Sequence, residues 1–176
     1  MRIIAGKYGK RIFKAPSGNR THPMSEKARG ALFNALGDIH GFRVLDSYAG
    51  SGALAFEALS RGASSAQCVD DNKNAHKSMK ETAEILELEE EIKITRANIS
   101  TWSDNNADKL FNIVFVDPPY HNVRDDIIEK LTRHVAPGGW LVVSYPSSEP
   151  TPRLSLTFNE RKNYGDATIL FYHHPR

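Results

Sequence analysis

The stretch VLDSYAGSGALAFEALSRG, residues 44–62, holds a strand end, a glycine turn and a helix in one short run. Val44 and Leu45 lead into Asp46. Gly50 and Gly52 then let the backbone turn sharply and approach a ligand with no Cβ in the way. The helix that follows points its first amides at that turn. Taken alone, the segment GSGALA also fits the dinucleotide fingerprint G-x-G-x-x-G/A. Asp46 separates the two readings. A carboxylate four residues before Gly50 repels a pyrophosphate and suits a ligand with an amino or cationic centre.

Outward from this unit the pattern alternates. FRVLD (42–46), AQCVD (66–70), EIKITR (91–96), NIVFVD (112–117) and GGWLVVSY (138–145) read as strands. GALAFEALSRG, NKNAHKSMKETAEILEL and RDDIIEKLTRHV read as helices between them, and a polar stretch with Trp102 separates the third strand from the fourth. Repeated strand–helix–strand units imply a mostly parallel sheet covered by helices on both faces. The tail from Arg153 shows two alternating stretches around a turn near Tyr164–Asp166, which places an antiparallel hairpin strand at the sheet end. Upstream, residues 2–14 read as two short strands around GKYGK. A loop over 15–23 follows, then a helix in MSEKARGALFNALGD with Ser25 as N-cap and Gly37 as its stop. The expected division is a basic β-hairpin extension over 1–20 and a main domain over 21–176.

Composition bounds the function classes. The chain has 176 residues, 40% hydrophobic and 25% charged, as in an ordinary single globular domain. No apolar run is long enough for a membrane span, and the N-terminus lacks a signal-peptide core. Cys68 is the only cysteine, which excludes an internal disulfide, and no Cys/His cluster has metal-ligand spacing. A cytoplasmic, metal-free protein is expected. The net charge of +2 hides an asymmetry: residues 1–29 carry eight basic side chains against Glu26 alone. Arg2, Lys7, Lys10, Arg11 and Arg20 are candidates for a polyanion contact, against the alternative of a solvated edge.

Four constellations carry chemistry. The first is Asp46 with the turn Tyr48, Ala49, Gly50, Ser51 and Gly52. D-x-x-x-G-x-G after a strand is the pattern of S-adenosylmethionine-dependent methyltransferases, whose cofactor carries an ammonium and a sulfonium. The second is Asp70, about 20 residues after the glycines at the next strand end, where an acid can accept ribose hydroxyls. Asp71 competes with it. The third is Asn98 with Ile99, after the third strand, as adenine contacts or as a cap and turn. The fourth is Asp117-Pro118-Pro119-Tyr120. An exocyclic amine is a poor nucleophile, and accepting its two N–H groups frees its lone pair. The Asp117 carboxylate and the Pro118 carbonyl can each take one. The prolines fix that carbonyl, and Tyr120 can stack on the base.

These motifs, with RIIAGKYGKR, THPMSEKARGALFNAL and YGDATILFY, resemble the RsmD-type 16S ribosomal RNA (guanine-N2) methyltransferase family over almost the whole chain. The resemblance implies a Rossmann-like class I fold with a mostly parallel seven-stranded sheet. It implies S-adenosylmethionine as cofactor and methylation of a guanine amino group. The implied partner is 16S rRNA in the small ribosomal subunit or its assembly intermediate, met through the N-terminal extension; a monomer is expected. Three positions depart from the family pattern. His22-Pro23-Met24 stands where Arg-Pro-Thr is usual, Gly30 where Glu is usual, and Asn98 where an acid is common. Competing readings are adenine-N6 methylation on DNA or RNA, an NAD-linked oxidoreductase, and a non-catalytic RNA-binding assembly factor.

Overall fold

The computed structural model describes residues 1–16, 24–164 and 167–176. Its centre is one seven-stranded sheet. The strands are β1 (Arg43–Asp46), β2 (Ser65–Asp70), β3 (Ile92–Arg96), β4 (Phe111–Val116), β5 (Val135–Tyr145), β6 (Thr157–Tyr164) and β7 (Ala167–His173). They lie in the order β3-β2-β1-β4-β5-β7-β6. The first five run parallel, and β7 is antiparallel to both β5 and β6. Among the described residues, five α-helices pack on the sheet: α1 (Glu26–Leu36), α2 (Ala53–Ser60), α3 (Lys73–Leu86), α4 (Ile99–Asn105) and α5 (Asp125–Leu131).

Central strands are apolar on both sides because both faces are covered. Val44, Cys68, Ile113 and Phe115 enter one core with Leu32, Phe33, Phe56 and Met79. Leu45, Val69, Val114 and Val116 enter the other with Trp102, Ile128 and Leu131. Alternation along each strand thus feeds two cores, and a one-residue slip would exchange them. Helix ends follow local chemistry. The Ser25 hydroxyl accepts the Ala28 amide, the Asn72 side chain accepts the Asn74 and Ala75 amides, and Gly37 closes α1 at φ 74°.

Two expectations change. The polar stretch with Trp102 holds a helix, α4, because Asn98 caps it and Trp102 anchors it beside Phe111 and His134. The two N-terminal strands shrink to one antiparallel bridge, Arg2 with Ile12. The reason lies in α2, which claims the backbone between them. Glu57 accepts the amides of Ile4 (2.7 Å) and Ala5 (3.2 Å). Ser60 accepts those of Lys7 through its carbonyl (2.8 Å) and Tyr8 through its hydroxyl (2.9 Å). At Gly6, φ 82°, a Cβ would overlap the Ser60 carbonyl. Glu57 is fully buried and also meets Arg61 at 2.7 Å and buried Arg29 at 3.9 Å. Arg29 in turn donates to the Arg2 carbonyl at 2.5 Å. Ile3 and Phe13 complete the docking by entering the α2-side core. The residue-20 boundary lies outside the described residues.

Candidate active site

In an open parallel sheet, ligands bind beyond the strand C-termini where the strand order reverses. Here β1 leads outward to β2 and β3, and the chain then returns to place β4 on the other side of β1. Asp46 ends β1, Asp70 ends β2, and Asp117 follows β4 directly, so all three acids share one sheet edge. Ser47 fastens β1 to β4, since its amide (3.1 Å) and hydroxyl (2.7 Å) both donate to the Phe115 carbonyl.

The glycine turn is tied to β2. The Ala49 amide donates to the Val69 carbonyl at 3.1 Å, and the Gly50 amide to Asp70 Oδ2 at 2.8 Å. Asp70 Oδ1 accepts the Asn72 amide at 2.9 Å. Burial raises the Asp70 pKa, and these two amides oppose the rise. Asp70 therefore positions the turn, and each of its oxygens keeps a second lone pair for a ligand hydroxyl. Gly50 and Gly52 both need glycine, at φ 53° and 76°. At Gly52 a Cβ would press within 2.7 Å of the buried Phe56 ring, whereas beside Gly50 the space is open. Ala49 and Ser51 are buried, and Tyr48 is half-buried.

Asp46 stands apart from the other acids. It is 1% exposed, and neither carboxylate oxygen makes a hydrogen bond. Burial pushes its pKa to about 8, with Asp117 and Asp70 adding to the rise and the nearby Ala55 amide opposing it. A buried carboxylate without partners is costly unless something pairs with it. An ammonium or other N–H donor entering the turn would meet that need.

On the β4 side, burial pushes the Asp117 pKa to about 6, opposed by the Ser144 hydroxyl. Ser144 also bonds the Tyr120 hydroxyl at 3.0 Å. It stands beside Asp117 because Val116 and Val143 pair across β4 and β5. Pro118 is buried, Pro119 half-buried, and Tyr120 is 47% exposed at the edge. The sequence reading missed Ser144, since only the adjacency of β4 and β5 brings it here.

Asn98 follows β3 at the same edge, and its side-chain oxygen accepts the Ser100 (2.9 Å) and Thr101 (3.4 Å) amides as the α4 cap. Ile99 is buried in the core with Leu45 and Val69. Arg2, Lys7, Lys10 and Arg11 are exposed on the docked N-terminal segment. Arg2 pairs with Glu26 at 2.6 Å, and Lys7 lies over the Tyr8 ring. Arg20, His22 and Pro23 lie outside the described residues. Among the described residues, no group of His, Cys, Asp or Glu could hold a metal ion, and no helix is long and apolar enough to cross a membrane.

The family described as "Conserved hypothetical protein 95" matches residues 1–173. The chain belongs to the RsmD-type methyltransferase family. Ribosomal RNA small subunit methyltransferase D of Haemophilus influenzae is 28% identical over 180 residues, covering 98% of this chain and 93% of its own. A hypothetical protein of Thermus thermophilus superposes with a TM-score of 0.85 at 27% identity, over 98% of this chain and 99% of its own. An RNA methyltransferase of Salinibacter ruber, solved with S-adenosyl-L-homocysteine, shares the fold. Its TM-score is 0.66 at 11% identity, over 88% of this chain and 95% of its own. Family membership and the β3-β2-β1-β4-β5-β7-β6 sheet fix the architecture as Rossmann-like with an antiparallel C-terminal hairpin. In this RsmD-type chain the bare glycine turn and the DPPY tetrad occupy one sheet edge.

Proposed function

We propose that this RsmD-type protein methylates the exocyclic N2 amino group of a guanine in 16S rRNA of the small ribosomal subunit, with S-adenosylmethionine as methyl donor. One observation carries the reading. A partnerless buried carboxylate, Asp46, shares a sheet edge with the half-buried Asp117 of a DPPY tetrad. The first calls for a cationic or amino-bearing ligand, and the second suits an amine to be alkylated. The names of the relatives support the rRNA substrate.

The residues fit the cofactor. Asp46 would hold its ammonium, the Gly50–Gly52 turn would admit its main body, and Asp70 would accept its ribose hydroxyls. When bound, S-adenosylmethionine supplies an electrophilic methyl group. The chain's own part is to prepare the amine. Asp117 and the Pro118 carbonyl accept its N–H groups, and Tyr120, braced by Ser144, supports the base face. Asp117 takes up the proton released after transfer. A pKa of about 6 leaves it mostly ionised at neutral pH. The exposed basic residues of the N-terminal segment would meet phosphates.

The test is transfer of labelled methyl to undermethylated small subunits and to naked 16S rRNA, followed by mass spectrometry of the nucleosides. The reading expects N2-methylguanosine. Label in N6-methyladenosine would overturn the guanine assignment, and cofactor binding without any label would favour a non-catalytic assembly role.

A further inference from the structure

The sheet edge that carries Asp117 continues beyond it. Asp117 neighbours Ser144 of β5, the next β5 residue, Tyr145, pairs with Thr168 of β7, and Thr168 pairs with Asn163 of β6. Strands lie about 4.8 Å apart, which puts Thr168 and Asn163 about 10 and 14 Å from Asp117 along the edge. There an open cavity of about 750 Å³ is lined by Ser147, Ser148, Glu149, Arg161, Asn163 and Thr168, with Pro150 at its rim.

The rim is held in one shape. Arg161 Nη1 donates to the Glu149 carbonyl (3.0 Å) and the Thr151 hydroxyl (3.2 Å). Its Nη2 donates to the carbonyls of Ser147 (2.8 Å) and Pro146 (3.5 Å). These charge-assisted bonds pin a loop of otherwise exposed residues. They also commit the one cationic group of the lining, so a phosphate there would meet Glu149 with no available counter-charge. On the opposite wall, the Thr168 hydroxyl donates to Asn163 Oδ1 at 2.8 Å, which leaves the Asn163 NH2 with donors to spare. Among the described residues, neither that NH2 nor the Glu149 carboxylate makes a hydrogen bond or ion pair. The cavity therefore offers an acceptor and a donor without a free cation, which is the complement of a nucleobase edge.

We propose that this cavity is a second base subsite, which receives the unpaired base of a nucleotide adjacent to the target guanosine. Glu149 accepts an N–H of that base, and Asn163 donates to its ring nitrogen or carbonyl. The β5 end serves both subsites, since it carries Ser144, which bonds Tyr120, and leads into the loop that Arg161 holds, so their spacing is set by the sheet. The proposal rests on the guanosine-RNA reading above and extends it to sequence choice.

The test uses short single-stranded RNAs with the target guanosine and each of the four bases on either side. The wild type, Glu149→Met and Asn163→Asp are compared. Both substitutions keep side-chain length, and each removes the acceptor or donor in question. Arg161 grips only the Glu149 main chain, and an Asp at 163 still accepts the Thr168 hydroxyl, so the rim anchor survives. The wild type is expected to prefer one flanking base by at least about tenfold in kcat/KM, the scale of one well-made base-edge contact. Each variant is expected to lose most of that preference while cofactor affinity stays within about twofold, since neither side chain is in the cofactor turn. Equal use of all four bases by the wild type would overturn the subsite. So would a preference that survives in both variants, or a loss that is uniform over all bases. A wild type that labels no guanosine either in these RNAs or in undermethylated small subunits would overturn the guanosine reading itself, and the subsite with it; label in the subunits but in none of the short RNAs would overturn the subsite alone.

Discussion

At the scale of single residues, Asp46 is the informative group. Its folded pKa of about 8 lies far above the ordinary carboxylate value. Between those two values the native state holds a proton that the unfolded chain has released. Stability therefore falls as pH rises through that window. Asp46→Asn keeps the shape and removes this cost. It is expected to raise the melting temperature most at pH 8 and above, and to weaken S-adenosylmethionine binding at least about tenfold, the scale of a lost charge-assisted bond. Paired melting curves at pH 5 and pH 8 with a binding titration check both halves. A variant that is neither more stable nor weaker in binding would remove Asp46 from the cofactor's ammonium. The strand-end places of Asp46, Asp70 and Asp117 were legible in the sequence because each closes an apolar run inside a short motif. Ser144 was not, because its place beside Asp117 depends on which strands adjoin. Ser and Tyr ending an apolar run carry no local sign of that.

At the scale of elements, the chain's repeating strand–helix units were readable because hydrophobic period and glycine stops agree. The seven-residue α4 was too short to show a period, and its signal was the Asn98 cap, which sequence leaves balanced against ligand contact. The α1–α2 pair hides its most consequential charges. Arg29 and Glu57 fall where a helix would normally show solvent-facing residues, yet both are buried to hold the N-terminal segment. Gly30, one residue on, has no such duty. A Cβ there would meet the Ile4 side chain at 3.5 Å, an ordinary contact. Gly30→Ala is expected to stabilise the protein by about 1 kcal/mol, from helix propensity and a less flexible unfolded chain. That is a rise of roughly 2–4 °C in melting temperature for a chain this size. A fall on substitution would mean that the glycine answers a need the helix geometry does not show.

At the scale of the whole molecule, charge and chemistry are set apart but joined. The basic segment stacks on α2, and the N-terminus of α2 begins at the glycine turn. One short helix thus links the proposed phosphate contacts to the cofactor end of the sheet. Replacing Lys7, Lys10 and Arg11 with Gln is expected to weaken RNA binding. It should also lower the slope of log affinity against log salt by roughly 2–3, one counterion step for each lost contact. Melting temperature should hold, because these three side chains are exposed. An unchanged slope would return them to a solvated edge.

The central claim is that Asp117 acts on the amine and not on the cofactor. Its most direct measurement compares Asp117→Ala with the wild type for methyl transfer to undermethylated small subunits and for S-adenosylmethionine affinity on the same preparations. The account predicts that transfer falls to background while cofactor affinity stays within a few-fold. An Asp117→Ala protein that still methylates guanosine at near the wild-type rate would contradict it.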